Sequence, residues 1–200
     1  MEIEIKLAPV TEAQFSALLE DPAVAPYLSL EAETFCMEAT YYDDIPGNLA
    51  QRHMTLRLRR ENSKSICTFK APAGEGFARL EVECEADTVE QGVQTLLAQG
   101  SLPFPAAALL SRMMLLPTCG ARFTRVAKTL AQGDFACILS YDRGELFAGE
   151  RTEPIAECEA ELVSGTAAQL EAFFLPLAEK YGLPVCHRSK HARAKALMDA

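Results

Sequence analysis

The 200-residue sequence contains no tryptophan and only three histidines, and none of its seven cysteines belongs to a Cys-x-x-Cys pair. The cysteines (36, 67, 84, 119, 137, 158 and 186) are odd in number, which excludes a fully paired disulfide framework, and without paired thiols a thiolate metal centre has no ligand set. His187 and His191 stand four residues apart, a spacing that can hold zinc on a helix, but no third soft ligand accompanies them, so a surface position is expected for both. The longest apolar stretch, residues 103–117, is broken by Ser111-Arg112 and is too short to span a bilayer. No basic, apolar and small-residue leader precedes Glu2, so a reducing cytoplasm is the expected setting. Low-complexity segments and fixed-period repeats are absent as well. So is an excess of positive charge. Nineteen Lys+Arg against 28 Asp+Glu give a net charge of −9 and a pI near 4.9, which argues against nucleic acid or an anionic membrane as partner. A basic pocket for a small anion remains compatible with an acidic whole.

What is present is a globular composition, 49% hydrophobic and 24% charged, of a length that fits one domain over residues 1–200. Its most informative feature is period-two alternation. Glu2-Ile3-Glu4-Ile5-Lys6-Leu7 places charges on one strand face and aliphatics on the other, as do Leu56-Arg57-Leu58-Arg59, Arg79-Leu80-Glu81-Val82-Glu83 and Glu157-Cys158-Glu159-Ala160-Glu161. One such strand describes any solvated sheet face. Several of them, each carrying like charges that repel unless cations sit opposite, suggest a closed sheet around a wet, charged lumen with apolar residues outward.

Strands are expected near residues 2–8, 34–43, 54–61, 65–71, 78–86, 121–130, 135–142, 145–149 and 153–163. Capping-box patterns at Thr11-x-x-Gln14, Thr88-x-x-Gln91 and Thr166-x-x-Gln169 open three helices, with Pro176 predicting a kink in the last. Further helices are expected over residues 105–116 and from Ser189 onward. Turn residues mark 45–48, 72–76, 132–134 and Asp142-Arg143-Gly144-Glu145. The fold class is therefore α+β, a closed eight-stranded antiparallel β-barrel with helices packed outside.

Strand parity sends Glu2, Glu4, Glu81, Glu83, Asp142, Glu157, Glu159 and Glu161 inward, together with Lys6, Arg57, Arg59, Lys70, Arg79, Arg125 and Lys190. Of the cations, Arg79 is equally compatible with surface pairing. Charges in such numbers must pair or hold ligands, because uncompensated burial is costly. Eight acids against seven bases suit a polyanion that carries divalent metal. Oxygen-only ligands select Mg²⁺ or Mn²⁺, and arginine forks suit phosphate oxygens.

These residues resemble the CYTH, or triphosphate tunnel metalloenzyme, superfamily. The resemblance runs in order through Glu2-x-Glu4-x-Lys6, Tyr41-Tyr42-Asp43, Leu56-Arg57-Leu58-Arg59, Thr68-Phe69-Lys70, Glu81-Val82-Glu83 and Phe123-Thr124-Arg125. It continues through Asp142-Arg143-Gly144-Glu145, the strand Glu153 to Glu161, and Ser189-Lys190. The stretch from Asp142 to Gly165 looks most like the bacterial inorganic triphosphatase branch, many of whose members carry a second, helical domain beyond this one. The resemblance implies that Lys6, Arg57, Arg59, Lys70, Arg125 and Lys190, with Arg79, hold a triphosphate. Glu2, Glu4, Asp142, Glu157, Glu159 and Glu161 would hold two Mg²⁺ or Mn²⁺ ions, with Glu4, Lys6 and Lys190 catalytic and Glu81 and Glu83 as further lumen acids. The expected activity is metal-dependent hydrolysis of inorganic tripolyphosphate. An adenylyl cyclase or a thiamine or nucleoside triphosphatase is the alternative, although an organic group would want an aromatic platform and tryptophan is missing. A non-catalytic polyphosphate-binding module is the other.

Overall fold

The alternation builds strands, and the strands build one sheet. A computed structural model of the chain describes residues 3–72 and 79–198, so Glu2 and most of the expected 72–76 turn lie outside the described residues. Eight strands are present among them: β1 (Glu4–Leu7), β2 (Glu33–Asp43), β3 (Thr55–Glu61), β4 (Lys64–Pro72), β5 (Arg79–Glu85), β6 (Leu116–Gln132), β7 (Phe135–Ala148) and β8 (Arg151–Ser164). Five α-helices accompany them: α1 (Glu12–Leu19), α2 (Val89–Ala98), α3 (Phe104–Leu110), α4 (Ala167–Lys180) and α5 (Lys190–Ala196). Thr11 and Thr166 cap α1 and α4 through complete capping boxes, and Thr88 caps α2 through the Gln91 amide. Pro176 does not break α4; it sits on the exposed side, where the carbonyl it leaves unpaired faces water.

The strands pair antiparallel in the order β1-β8-β7-β6-β2-β3-β4-β5. The sheet curls, but the expected closed barrel is open: among the described residues β1 and β5 are unpaired with each other. The cause lies at the outer edge of β1. Ala8 N donates to Pro184 O at 3.0 Å and Cys186 N donates to Lys6 O at 2.8 Å, so residues 184–186 already occupy that edge as a strap. Leu7 and Val185 form an antiparallel bridge within it.

Two apolar layers cover the convex face. Under α1 and α4, Phe15, Leu18, Leu170 and Phe174 pack against Leu7, Leu139, Cys158 and Ala160. Under α2 and α3, Val93, Leu96, Ala106 and Leu110 pack against Leu56, Cys67 and Phe69. Burial pushes the Cys67 and Cys137 thiols up to about 12 and raises Cys158 well above its ordinary value, as expected for cysteines acting as small hydrophobes. The concave face is not polar throughout. At one end Tyr41, Ala121, Phe123, Leu146 and Ile155 point inward and are plugged by Ala194 and Leu197 of the α5 segment.

Two elements differ from expectation. The helix over 105–116 stops at Leu110, because Leu116 pairs with Asp43 and starts β6. The turn at 142–145 is instead the middle of β7, which runs unbroken with Asp142 opposite Arg125 and Gly144 opposite Phe123. Gly144 is there for space: a Cβ would lie 2.1 Å from Arg122 O and 2.5 Å from Phe123 Cα. Gly144→Ala is expected to cost about 1–3 kcal/mol in denaturant unfolding through overpacking against backbone. Gly144→Asn, which a turn would tolerate, is expected to fare no better; an Asn variant as stable as wild type would contradict this account.

Candidate active site

The concave face brings residues from seven strands and α5 around one cavity of about 280 Å³. Its lining includes Glu4, Lys6, Arg57, Arg59, Lys70, Glu81, Arg125, Glu159 and Lys190, each of them expected from strand parity. Glu83 and Glu161 line an adjoining opening that shares Arg59, Glu81 and Arg125 with it. Asp142 and Glu157 lie beneath as a floor, both wholly buried. Arg79 belongs to β5, but its side chain, like Glu2, lies outside the described residues. The loop after Asp43 takes no part in the lining. Asp43 Oδ1 accepts from Leu49 N at 2.9 Å and Oδ2 from Ala50 N at 3.0 Å, which pins that loop against the sheet.

The floor is an ion-pair network. Arg125 grips Asp142 through two bonds of 2.7 Å and also contacts Glu159. Lys190 Nζ reaches Asp142 at 2.7 Å and Glu159 at 2.8 Å, and touches Glu157 Oε1 without the alignment of a hydrogen bond. Arg193 donates to the other oxygen of Glu157 at 2.6 Å. Lys6 Nζ lies 3.2 Å from Glu4 and 3.3 Å from Glu159. Burial by itself would favour neutral forms, but the pairs prevail. Desolvation pushes Glu159 up, while Lys190, Arg125 and Lys6 together hold it well below its ordinary value. Desolvation likewise lowers Lys190, and Glu159, Asp142 and Glu157 more than restore it, so it stays protonated far above the ordinary lysine range.

The wall formed by β3, β4 and β5 is looser. Arg57 donates to Thr68 at 3.2 Å and lies 3.9 Å from Glu83, Arg59 meets Glu61 at 2.5 Å, and Lys70 meets Glu81 at 3.0 Å. Among the described residues the buried Nε atoms of Arg57 and Arg59 have no hydrogen-bond partner. Burial first, and then the neighbouring Arg57, lower the pKa of Arg59, so a positive charge there is under-compensated.

The sequence reading missed Arg193 and misjudged His191. His191 is not on the outer surface; it lines the cavity and packs against Tyr41 at a tilt of 42°, ring centroids 4.4 Å apart, whereas His187 is exposed. The available signal was the Lys190-x-x-Arg193 spacing, which puts two cations on one face of a helix.

A sequence model of the CYTH domain matches residues 1–194. The chain belongs to the CYTH domain family. An inorganic triphosphatase of Haemophilus influenzae is 30% identical over 176 residues, 86% of this chain and 48% of that protein, so the chain spans about half the length of the curated relative it matches. A solved Hippeastrum protein, described as an adenylyl cyclase candidate with a dominant triphosphatase activity, aligns at a TM-score of 0.60 and 21% identity over 98% of this chain and 96% of its own. PH1819 from Pyrococcus horikoshii aligns at 0.58 and 15% identity over 100% and 99%. At such identities these two structures establish the shared fold.

The metal dependence of CYTH tunnel enzymes makes the acids a donor set to test. Oxygens of Asp142, Glu157 and Glu159 all lie within 4.8 Å of one another, but the Lys190 ammonium already sits against all three. Glu4 and Glu161 stand directly opposite in the β1–β8 register, two like charges on one face that a hard cation would reconcile. With the adjacent Glu159 they form a second candidate set, while among the described residues it is Asp142, Glu157 and Glu159 whose oxygens lie closest together.

Because Glu159 is depressed on folding, its stabilisation is complete above its ordinary value of 4.5 and fades as pH falls below it. Glu159→Gln takes one acid from each of Lys6, Arg125 and Lys190, leaves the buried cluster with one positive charge in excess, and is expected to cost about 3–5 kcal/mol at neutral pH. Denaturant unfolding measured from pH 7 to pH 3 should show the gap to wild type narrowing below that value. A constant gap would mean that Glu159 is not charged in the fold.

Proposed function

We propose that this chain hydrolyses inorganic tripolyphosphate to pyrophosphate and phosphate with Mg²⁺ or Mn²⁺. The observation that carries the reading is the pair of buried, unpartnered Nε donors on Arg57 and Arg59 beside Lys6, Lys70, Arg125 and Lys190. Buried donors without acceptors are expensive, and the phosphate oxygens of a bound chain would satisfy them in the forked geometry that guanidinium favours. Lys6, Lys70 and Arg125 would hold further oxygens. Lys190 would neutralise charge on the transferring group, and Arg79 of β5 would extend the cationic set. Glu4, Glu159 and Glu161, with Glu2 two positions earlier in the sequence, would hold the ions; Asp142 and Glu157 would join them only when Lys190 turns toward phosphate. The bound ions would supply charge neutralisation and a water acidic enough to attack the terminal phosphorus. A cytoplasmic setting suits such a substrate.

Phosphate release from tripolyphosphate with either metal tests the reading, with ATP and thiamine triphosphate as comparison substrates and cyclic AMP as a monitored product. Arg59→Ala is expected to raise KM roughly ten- to hundredfold, the worth of a charged hydrogen bond. Glu4→Gln should abolish turnover, and equal rates in Glu4→Gln and wild type would remove Glu4 from the site. Metal-independent binding without any phosphate release would favour a binding module instead.

A further inference from the structure

Glu157 is the most constrained acid in the floor. It is wholly buried on β8, and its two oxygens go to two residues of the same short helix. One meets Lys190, the other Arg193, which stands three positions on and lies outside the cavity lining. Around this point Asp142, Glu157 and Glu159 set three negative charges against Arg125, Lys190 and Arg193, with Lys6 shared between Glu159 and Glu4. Take Arg193 away and the count fails at Glu157, whose nearest remaining cation is Lys190.

Lys190 faces two demands. It lines the cavity, where a bound anion would draw it, and it is held by carboxylates below. Attraction between opposite charges a few ångströms apart in a desolvated site is strong, so the share of Glu157 that falls on Lys190 decides how readily it turns outward. Among the described residues Arg193 makes no hydrogen bond through its buried Nε and pairs with Glu157 alone. The arrangement is held in place from behind, because Arg151 Nη1 donates to the Leu197 and Met198 carbonyls at the far end of α5.

We propose that Arg193 is a positioning residue that neutralises Glu157 and so leaves Lys190 available to the anion in the cavity. This rests on the triphosphate reading above. It predicts that the harm done by losing Arg193 comes from the uncovered charge of Glu157, and that removing that charge repairs it.

The test is a double-mutant cycle on the full chain, with tripolyphosphate binding measured calorimetrically in EDTA so that any metal role of Glu157 is absent, and kcat and KM measured separately with Mg²⁺. Arg193→Ala is expected to weaken metal-free binding at least tenfold, and Arg193→Lys, which keeps the charge, to stay within about threefold of wild type. Arg193→Ala combined with Glu157→Gln should return to within about threefold of Glu157→Gln alone, a recovery that loss of mere packing would not give. Thermal unfolding checks that each variant is folded; if Arg193→Ala is not, Arg193→Gln takes its place in the cycle. Additive losses in the double variant, or unchanged binding in Arg193→Ala, would overturn the proposal while the functional reading stands. Failure of wild type to bind tripolyphosphate would overturn both.

Discussion

An ammonium set among three buried carboxylates is the constraint on which the site depends. Asp142 and Glu157 are register partners on adjacent strands, so without cations β7 and β8 would place two buried negative charges side by side. The compensation comes from elsewhere in the chain: Arg125 from β6, Lys6 from β1, and Lys190 and Arg193 from α5. One cluster thus ties three separate elements to β7 and β8, and the helix that plugs the concave face cannot leave without stranding charge. Such a network is weak evidence for net stability, because desolvation offsets much of the attraction. What it fixes is position.

Floor and wall differ in a way that separates scaffold from ligand surface. On the floor every carboxylate has at least two cationic neighbours. On the wall, among the described residues, Arg57 lies 3.9 Å from its acid, Arg59 and Lys70 pair with Glu61 and Glu81, and two guanidinium Nε atoms are left unsatisfied. A chain with a net charge of −9 has therefore gathered an under-neutralised positive surface in one concave place. That is the electrostatic form expected of a site that awaits an anion instead of one that has spent its charges on folding.

How much of this the sequence displays depends on the range of the physics involved. Side-chain alternation is local, so the strands and the convergence of Glu4, Arg59 and Glu159 on one cavity were legible from parity alone. Capping at Thr11 and Thr166 was equally local. Gly144 misled because a glycine that relieves a turn and one that admits a neighbouring strand look alike in sequence; only the 2.1 Å approach to Arg122 O tells them apart. His191 and Arg193 were hidden for a related reason: the inward face of α5 is set by Glu157 and Tyr41, more than thirty residues away.

The open sheet follows from the same distinction between local and distant causes. Closure would require the outer edge of β1, and nothing in the Glu-x-Glu-x-Lys alternation reveals that Lys6 O and Ala8 N are engaged by residues 184–186. The two unjoined sides present matching equipment: Lys6 with Glu4 near the strap, and Lys70 with Glu81 on the β4–β5 side. Under the proposed function, a phosphate chain accepting from both ammonium groups would join the two sides, and cations held by acids would strengthen the join. The substrate complex would then supply across the gap the cohesion that backbone hydrogen bonds supply elsewhere in the sheet. An open sheet with charged lips is in that sense a tunnel to be joined by its ligand, and the strap along β1 is what keeps the backbone from closing it.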